Sequence, residues 1–277
     1  MDRRRGALAL TTLLLLSGCS FLGASPLGSS GGTGTHTPAT TTTHTPTPTA
    51  TATATSAQLP EGYAPSGVDN LSVALGAHQS ALVDSGSFTI SYRATLLTGE
   101  GRSSIASVRS ANVTQARGYE ATNVTNGATR ETFLTDGTAY VRTNPAGGAV
   151  YYNRTSNVTY DPRRYTAAEF VRPALENVTY KNAERIERRN RTFFRYRVSE
   201  VRSLQSLLGE GVNPENVTSF DAALVVAADG SVQRVGYQAT VERGAEELVV
   251  QVRIDLLQQG GVVLGEPAWL GEARQST

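Results

Sequence analysis

The chain has 277 residues, with 25 Lys and Arg against 24 Asp and Glu, a formal charge of +1. That balance excludes a basic nucleic-acid surface and an acidic disordered tail, so no nucleic-acid partner is expected. A single cysteine excludes a disulfide framework and a cysteine metal cluster.

The N-terminus reads as an address. Arg3, Arg4 and Arg5 precede the apolar run Ala7–Leu16, the form of a secretory signal. Ten residues rise only about 15 Å as a helix, half a bilayer core, and make a poor permanent span. Leu16-Ser17-Gly18-Cys19 follows directly. Small residues before a lone cysteine resemble a lipobox, and a thiol suits acylation because its thiolate is a strong nucleophile. The expectation is a signal peptide over 1–18 and a diacylated Cys19. Two acyl chains, at roughly 0.8 kcal/mol per buried CH₂, would anchor the protein to the extracytoplasmic face of the cell membrane. The plainer alternative is a buried cysteine near a cleavage site.

Residues 19–60 carry no charge, and 13 of the 23 residues from Thr33 to Thr55 are threonine. Such a segment buries too little to offset its ordering entropy and reads as a disordered stalk. Gly28–Gly34 has neither strand nor helix beside it and is a spacer. His36 and His44 read as solvated.

Residues 61–277 carry the folding pattern and form one domain. Asp69 or Ser66 caps a helix with Leu71, Leu75, His78 and Leu82 on one face. Phe88, Ile90, Tyr92, Ala94 and Leu96 then alternate with polar residues as a half-buried strand. Weaker runs follow at Ile105–Val113 and Tyr119–Val124. Asp136-Gly137 closes a hairpin between Thr132–Leu134 and Thr138–Arg142, and Val150–Arg154 adds another strand. Thr166 to Glu169 has capping-box spacing before a short helix containing Pro173. A hairpin crosses Arg189-Asn190, a third helix runs from Val201 to Leu208, and Thr218–Ala228, Ser231–Arg243 and Glu246–Leu257 form a meander. Hairpin connections with separate helices argue for an α+β fold with an antiparallel sheet and helices on one side.

Eight asparagines open Asn-x-Ser/Thr triplets: Asn70, Asn112, Asn123, Asn153, Asn157, Asn177, Asn190 and Asn216. This enrichment favours a glycosylated exterior protein, although Asn-x-Thr also suits turns and strand edges.

The lipobox, the Thr-rich stalk, Ser87-Phe88-Thr89-Ile90-Ser91-Tyr92, the Asp136–Arg142 hairpin and Pro267-Ala268-Trp269 resemble an uncharacterised haloarchaeal lipoprotein family. Lys181, the sole lysine, fits that source. The element order is also similar to the LolA and LppX/LprG lipoprotein carriers. That resemblance implies a strongly curved, unclosed half-barrel with helices on its concave face and an apolar cavity for acyl chains. The residues that would line it are Phe88, Ile90, Tyr92, Leu96, Val225, Val235, Tyr237, Val250, Val252 and Ile254; as ordinary core they would hold no ligand.

Catalytic chemistry finds little support. The domain's one histidine, His78, sits on an amphipathic helix and reads as packed, and no residues have metal-ligand or nucleotide-fingerprint spacing. No catalytic residue, metal or cofactor is expected. The densest basic stretch, Arg185–Arg197, is either a solvated hairpin face or a contact for anionic groups. Two functions stay open: a non-catalytic binder of a hydrophobic ligand, or an interaction module of the cell envelope that meets an envelope or surface-layer partner.

Overall fold

The computed structural model describes residues 58–276. The signal segment, Cys19, the stalk up to residue 57, His36 and His44 lie outside the described residues. A two-residue ribbon pair, β1 (Tyr63–Ala64) and β2 (Gly67–Val68), leads into helix α1 (Leu71–Asp84). The cap of α1 is Asn70, not Asp69 or Ser66: its Oδ1 accepts from the Val73 N–H at 3.2 Å. Ala74, Leu75, His78 and Leu82 form the buried stripe.

Six strands follow: β3 (Ser87–Thr98), β4 (Gly101–Asn112), β5 (Arg117–Val124), β6 (Thr129–Thr135), β7 (Thr138–Asn144) and β8 (Tyr151–Thr155). The chain then crosses back through helix α2 (Ala168–Asn177). It continues as β9 (Val178–Arg188), β10 (Arg191–Val201), helix α3 (Leu204–Leu208), β11 (Val217–Ala227), β12 (Val232–Arg243), β13 (Glu246–Gln259) and helix α4 (Leu270–Gln275). Strands β3 to β13 form one open, antiparallel sheet in the order β8-β7-β6-β5-β4-β3-β13-β12-β11-β10-β9. Two meanders therefore meet only where β3 pairs with β13.

Local chemistry explains most departures from expectation. The Thr166 capping box does not form. Ala167 stands at the cap position with φ 55°, and Thr166 Oγ1 instead donates to the Arg163 carbonyl at 2.7 Å. Val201 ends β10, and α3 starts later, where Ser203 accepts from the Ser206 N–H. Asp136 and Gly137 both take positive φ in their hairpin turn, as Asp-Gly should.

Register parity assigns each side chain to a face. Tyr92 and its cross-strand partners Ile254 and Ser107 point to one face, where α1, α2 and α3 lie. Tyr119, Phe133 and Tyr140 are mutual cross-strand neighbours on the opposite face. There α4 buries Trp269, Leu270 and Ala273 against Phe133 and Tyr140. The expectation of helices on one side alone is thus corrected: the C-terminal helix, too short for a periodic signal, covers the other. The tail reaches it along β3, β4 and β5. Val262 N–H donates to Ser87 Oγ at 2.9 Å, Asn112 Nδ2 to the Val262 carbonyl at 3.0 Å, and Arg117 to the Leu264 carbonyl at 3.2 Å. Beside this second core, burial raises the Glu131 carboxyl, but the bonds from Arg142 and Tyr119 hold it below the usual carboxylate range.

His78 ties the first layer together. It is fully buried, its Nε2 lies 3.0 Å from the Thr166 carbonyl, and its Nδ1 accepts from the Val232 N–H at 3.1 Å. These partners demand the neutral tautomer protonated at Nε2. Burial lowers its pKa to about 4, against the weaker raising effects of Thr166 and Asp229. The folded pKa lies below 6.5, so below that pH the unfolded chain takes up the proton first. Stability should fall by up to about 3 kcal/mol as pH drops from 6.5 to about 4.

Urea unfolding at pH 7 should show His78→Ala less stable by about 2–4 kcal/mol, because a buried N–H and a carbonyl lose their partner. The variant should also have a shallower acid slope, and an unchanged slope would refute the assignment. Trp269→Ala should cost about 3–5 kcal/mol by opening the second core. Thermal unfolding indistinguishable from the parent would show that α4 is not part of it.

Candidate functional site

The helix-covered face is built from alternate residues of five strands. Tyr92, Ile254, Val235, Leu224 and Tyr196 stand in one row from β3 to β10. The next row holds Ala94, Val252, Tyr237 and Ala222. Nine of the ten residues expected to line a cavity share this face: Phe88, Ile90, Tyr92, Leu96, Val235, Tyr237, Val250, Val252 and Ile254, none more than 5% exposed. Val225 does not. It pairs with Arg234 and Arg195 on the opposite face, and its buried neighbours Leu224 and Val226 supply β11's contribution. The slip has a local cause: Leu224-Val225-Val226 is apolar throughout, and the β11–β12 register shifts between Val225 and Val226.

The helices seal this face. Phe170 of α2 stacks on Tyr92 with ring centroids 4.2 Å apart. Arg109 lies 4.8 Å from the centre of the Phe170 ring and bonds Glu120 at 3.0 Å, Glu169, and the Arg164 carbonyl at 3.3 Å. Burial raises the Tyr92 hydroxyl above its ordinary range. The Tyr237 hydroxyl donates to the Leu207 carbonyl at 2.9 Å, fastening α3. Two polar atoms at the rim are less well served. The buried Tyr63 and Tyr196 hydroxyls have no hydrogen-bond partner among the described residues, and their ring centroids are 6.1 Å apart. Burial pushes the Tyr196 hydroxyl up to about 12.

The Arg109–Phe170 contact and the Tyr63–Tyr196 pair were not singled out by sequence reasoning. Each joins residues far apart in the chain. Only an arginine on the apolar-facing side of β4, opposite Ile90, could have signalled the first.

Elsewhere the chemistry is sparse. Both nitrogens of His78 are committed to backbone groups, so it offers no free base. Among the described residues, no group of three or more His, Cys, Asp or Glu is placed to hold a metal, and no helix is long and apolar enough to cross a membrane. An open groove of about 520 Å³ on the opposite face is lined by Arg93, Arg102, Ser104, Asn123 and Thr125, a polar set. In the Arg185–Arg197 hairpin, Arg195 bonds Glu184, Arg185 bonds Glu187, and Arg191 lies 5.4 Å from the Phe193 ring centre.

The sequons divide into two groups. Asn70, Asn123, Asn153, Asn157, Asn190 and Asn216 are exposed. Asn112 and Asn177 are half-buried and use Nδ2 to bond the Val262 and Pro173 carbonyls, both at 3.0 Å.

A comparison with curated proteins returns no match. Solved structures to which the chain is similar include the Pseudomonas aeruginosa MucA/MucB complex, at 12% identity and TM-score 0.28, over 71% of this chain and 59% of that one. This chain therefore spans less than two thirds of that neighbour. A LolA superfamily protein from Nitrosomonas europaea matches at 7% identity and TM-score 0.20, over 68% and 94% of the two chains. A DUF1329 family protein from Desulfovibrio piger matches at 6% and 0.25, over 75% and 99%. At the level of sequence the match runs nearly end to end: residues 4–273 fit a family of unknown function, DUF7537, and the chain belongs to that family.

Proposed function

We propose that this is a non-catalytic, lipid-anchored protein of the extracytoplasmic membrane face, displayed on a stalk, that works as an interaction module of the cell envelope. The observation that carries the reading is the closed interior. The nine inward side chains are packed to 5% exposure or less beneath α1, α2 and α3, leaving the protein's outer surface to meet partners. The lipobox at Cys19 and the uncharged tract behind it support the anchor and stalk. The composition supports a haloarchaeal source. The committed nitrogens of His78 support a structural rather than a chemical role for that residue.

One observation favours a second reading, a carrier for a hydrophobic ligand. The unpartnered Tyr63 and Tyr196 hydroxyls stand at the edge of the apolar face, where a ligand's polar end would satisfy them. In that reading the sheet is a half-barrel with α1, α2 and α3 on its concave side, and they must shift to admit an acyl chain.

Cys19→Ser should move the protein from the membrane fraction to the medium, or leave the precursor uncleaved. Mass spectrometry of the parent N-terminus should find a diacylated cysteine, and an unmodified Cys19 on membrane-bound protein would end the anchor proposal. Native mass spectrometry of protein released from its own membranes should give the bare polypeptide plus its covalent modifications. A retained lipid mass that disappears in Tyr196→Phe would favour the carrier instead.

A further inference from the structure

An eleven-stranded open sheet has two edges, and each presents a row of unpaired backbone groups able to recruit another strand. The β9 edge is guarded. Lys181, Glu184, Arg185, Glu187 and Arg188 are all exposed along it, and the Ala183 N–H is taken by the Pro65 carbonyl at 3.2 Å. The β8 edge has no such defence. Its five residues carry one charge, Arg154, and its start exposes Val150 and Tyr151, the latter to 56%. Among the described residues no strand pairs with its outer side.

Asn153 sits in the middle of β8, heads the sequon Asn153-Arg154-Thr155, and is exposed. Its Oδ1 accepts from the Arg154 N–H at 2.8 Å, while its Nδ2, the atom that would receive a sugar, has no partner among the described residues. Asn112 and Asn177 offer the contrast, being half-buried with one Nδ2 hydrogen already donated to a backbone carbonyl. A twelfth strand would lie ~4.8 Å beyond β8. A branched sugar on Asn153 would rise from the sheet face beside that position and crowd an incoming strand.

We propose that Asn153 carries an N-linked glycan, and that this glycan closes the β8 edge against strand addition by a second copy of the chain. The inference rests on the exterior placement proposed above. The full chain, purified from a host that N-glycosylates exported proteins, should show Asn153 occupied and Asn112 and Asn177 bare in glycopeptide mass spectrometry. Asn153→Gln and Thr155→Ala remove the sequon in different ways. Both should shift sedimentation from monomer to dimer or larger, and adding Tyr151→Lys should restore the monomer. Acylated Cys19 together with a bare Asn153 would overturn this proposal alone. Bare Cys19 with all eight sequons empty would overturn the exterior placement as well. An occupied Asn112 or Asn177 would overturn the contrast drawn between the sequons, and sequon-less variants that stay monomeric while folded would overturn the role given to the glycan.

Discussion

The pairing of β3 with β13 is the contact on which the rest depends. It joins Leu97 to Val249 and Phe88 to Gln259 across about 150 to 170 residues of chain, so its closure entropy is set against no local reward. Without it the protein is two meanders, each with an uncovered central edge. With it, Tyr92, Ile254, Val235, Leu224 and Tyr196 become one unbroken apolar row. That row gives α1, α2 and α3 a surface to cover.

The same pairing divides the molecule into two cores on opposite faces. Toward β10 the sheet buries its aliphatic residues beneath the first three helices, and its other face is polar, with Arg234 and Arg253 bonding Asp255. Toward β7 the preference inverts, and Phe133, Tyr140 and Trp269 pack beneath α4. Each wing thus buries mainly one face, which alternating strands allow at little cost. His78, buried and doubly hydrogen-bonded, fixes α1 to the loop before α2 and to β12 at once, so the first three helices are not independent covers.

Polar atoms in these layers show where the fold is least self-sufficient. Glu131 gathers Arg142 and Tyr119 around it. The Tyr63 and Tyr196 hydroxyls are buried with no such partners. A buried polar group without a hydrogen bond costs free energy comparable to a lost bond, so the Tyr63–Tyr196 pair, like Arg142 Nε, the Tyr160 hydroxyl and Trp269 Nε1, is a point at which a ligand or a water would stabilise the structure.

By itself the sequence determined the antiparallel α+β class, the strands with clean alternation, the turn at Asp136-Gly137 and the buried stripe of α1, because period and turn chemistry are local properties. It also carried the eight sequons. Only the tertiary structure decided the side to which Val225 points, since residues 222–227 are apolar throughout and offer no readable period. It alone revealed α4 on the second face, the meeting of Arg109 with Phe170, and which asparagines spend Nδ2 on the fold. Those depend on partners distant in the chain, and no local pattern encodes a partner that only folding brings near.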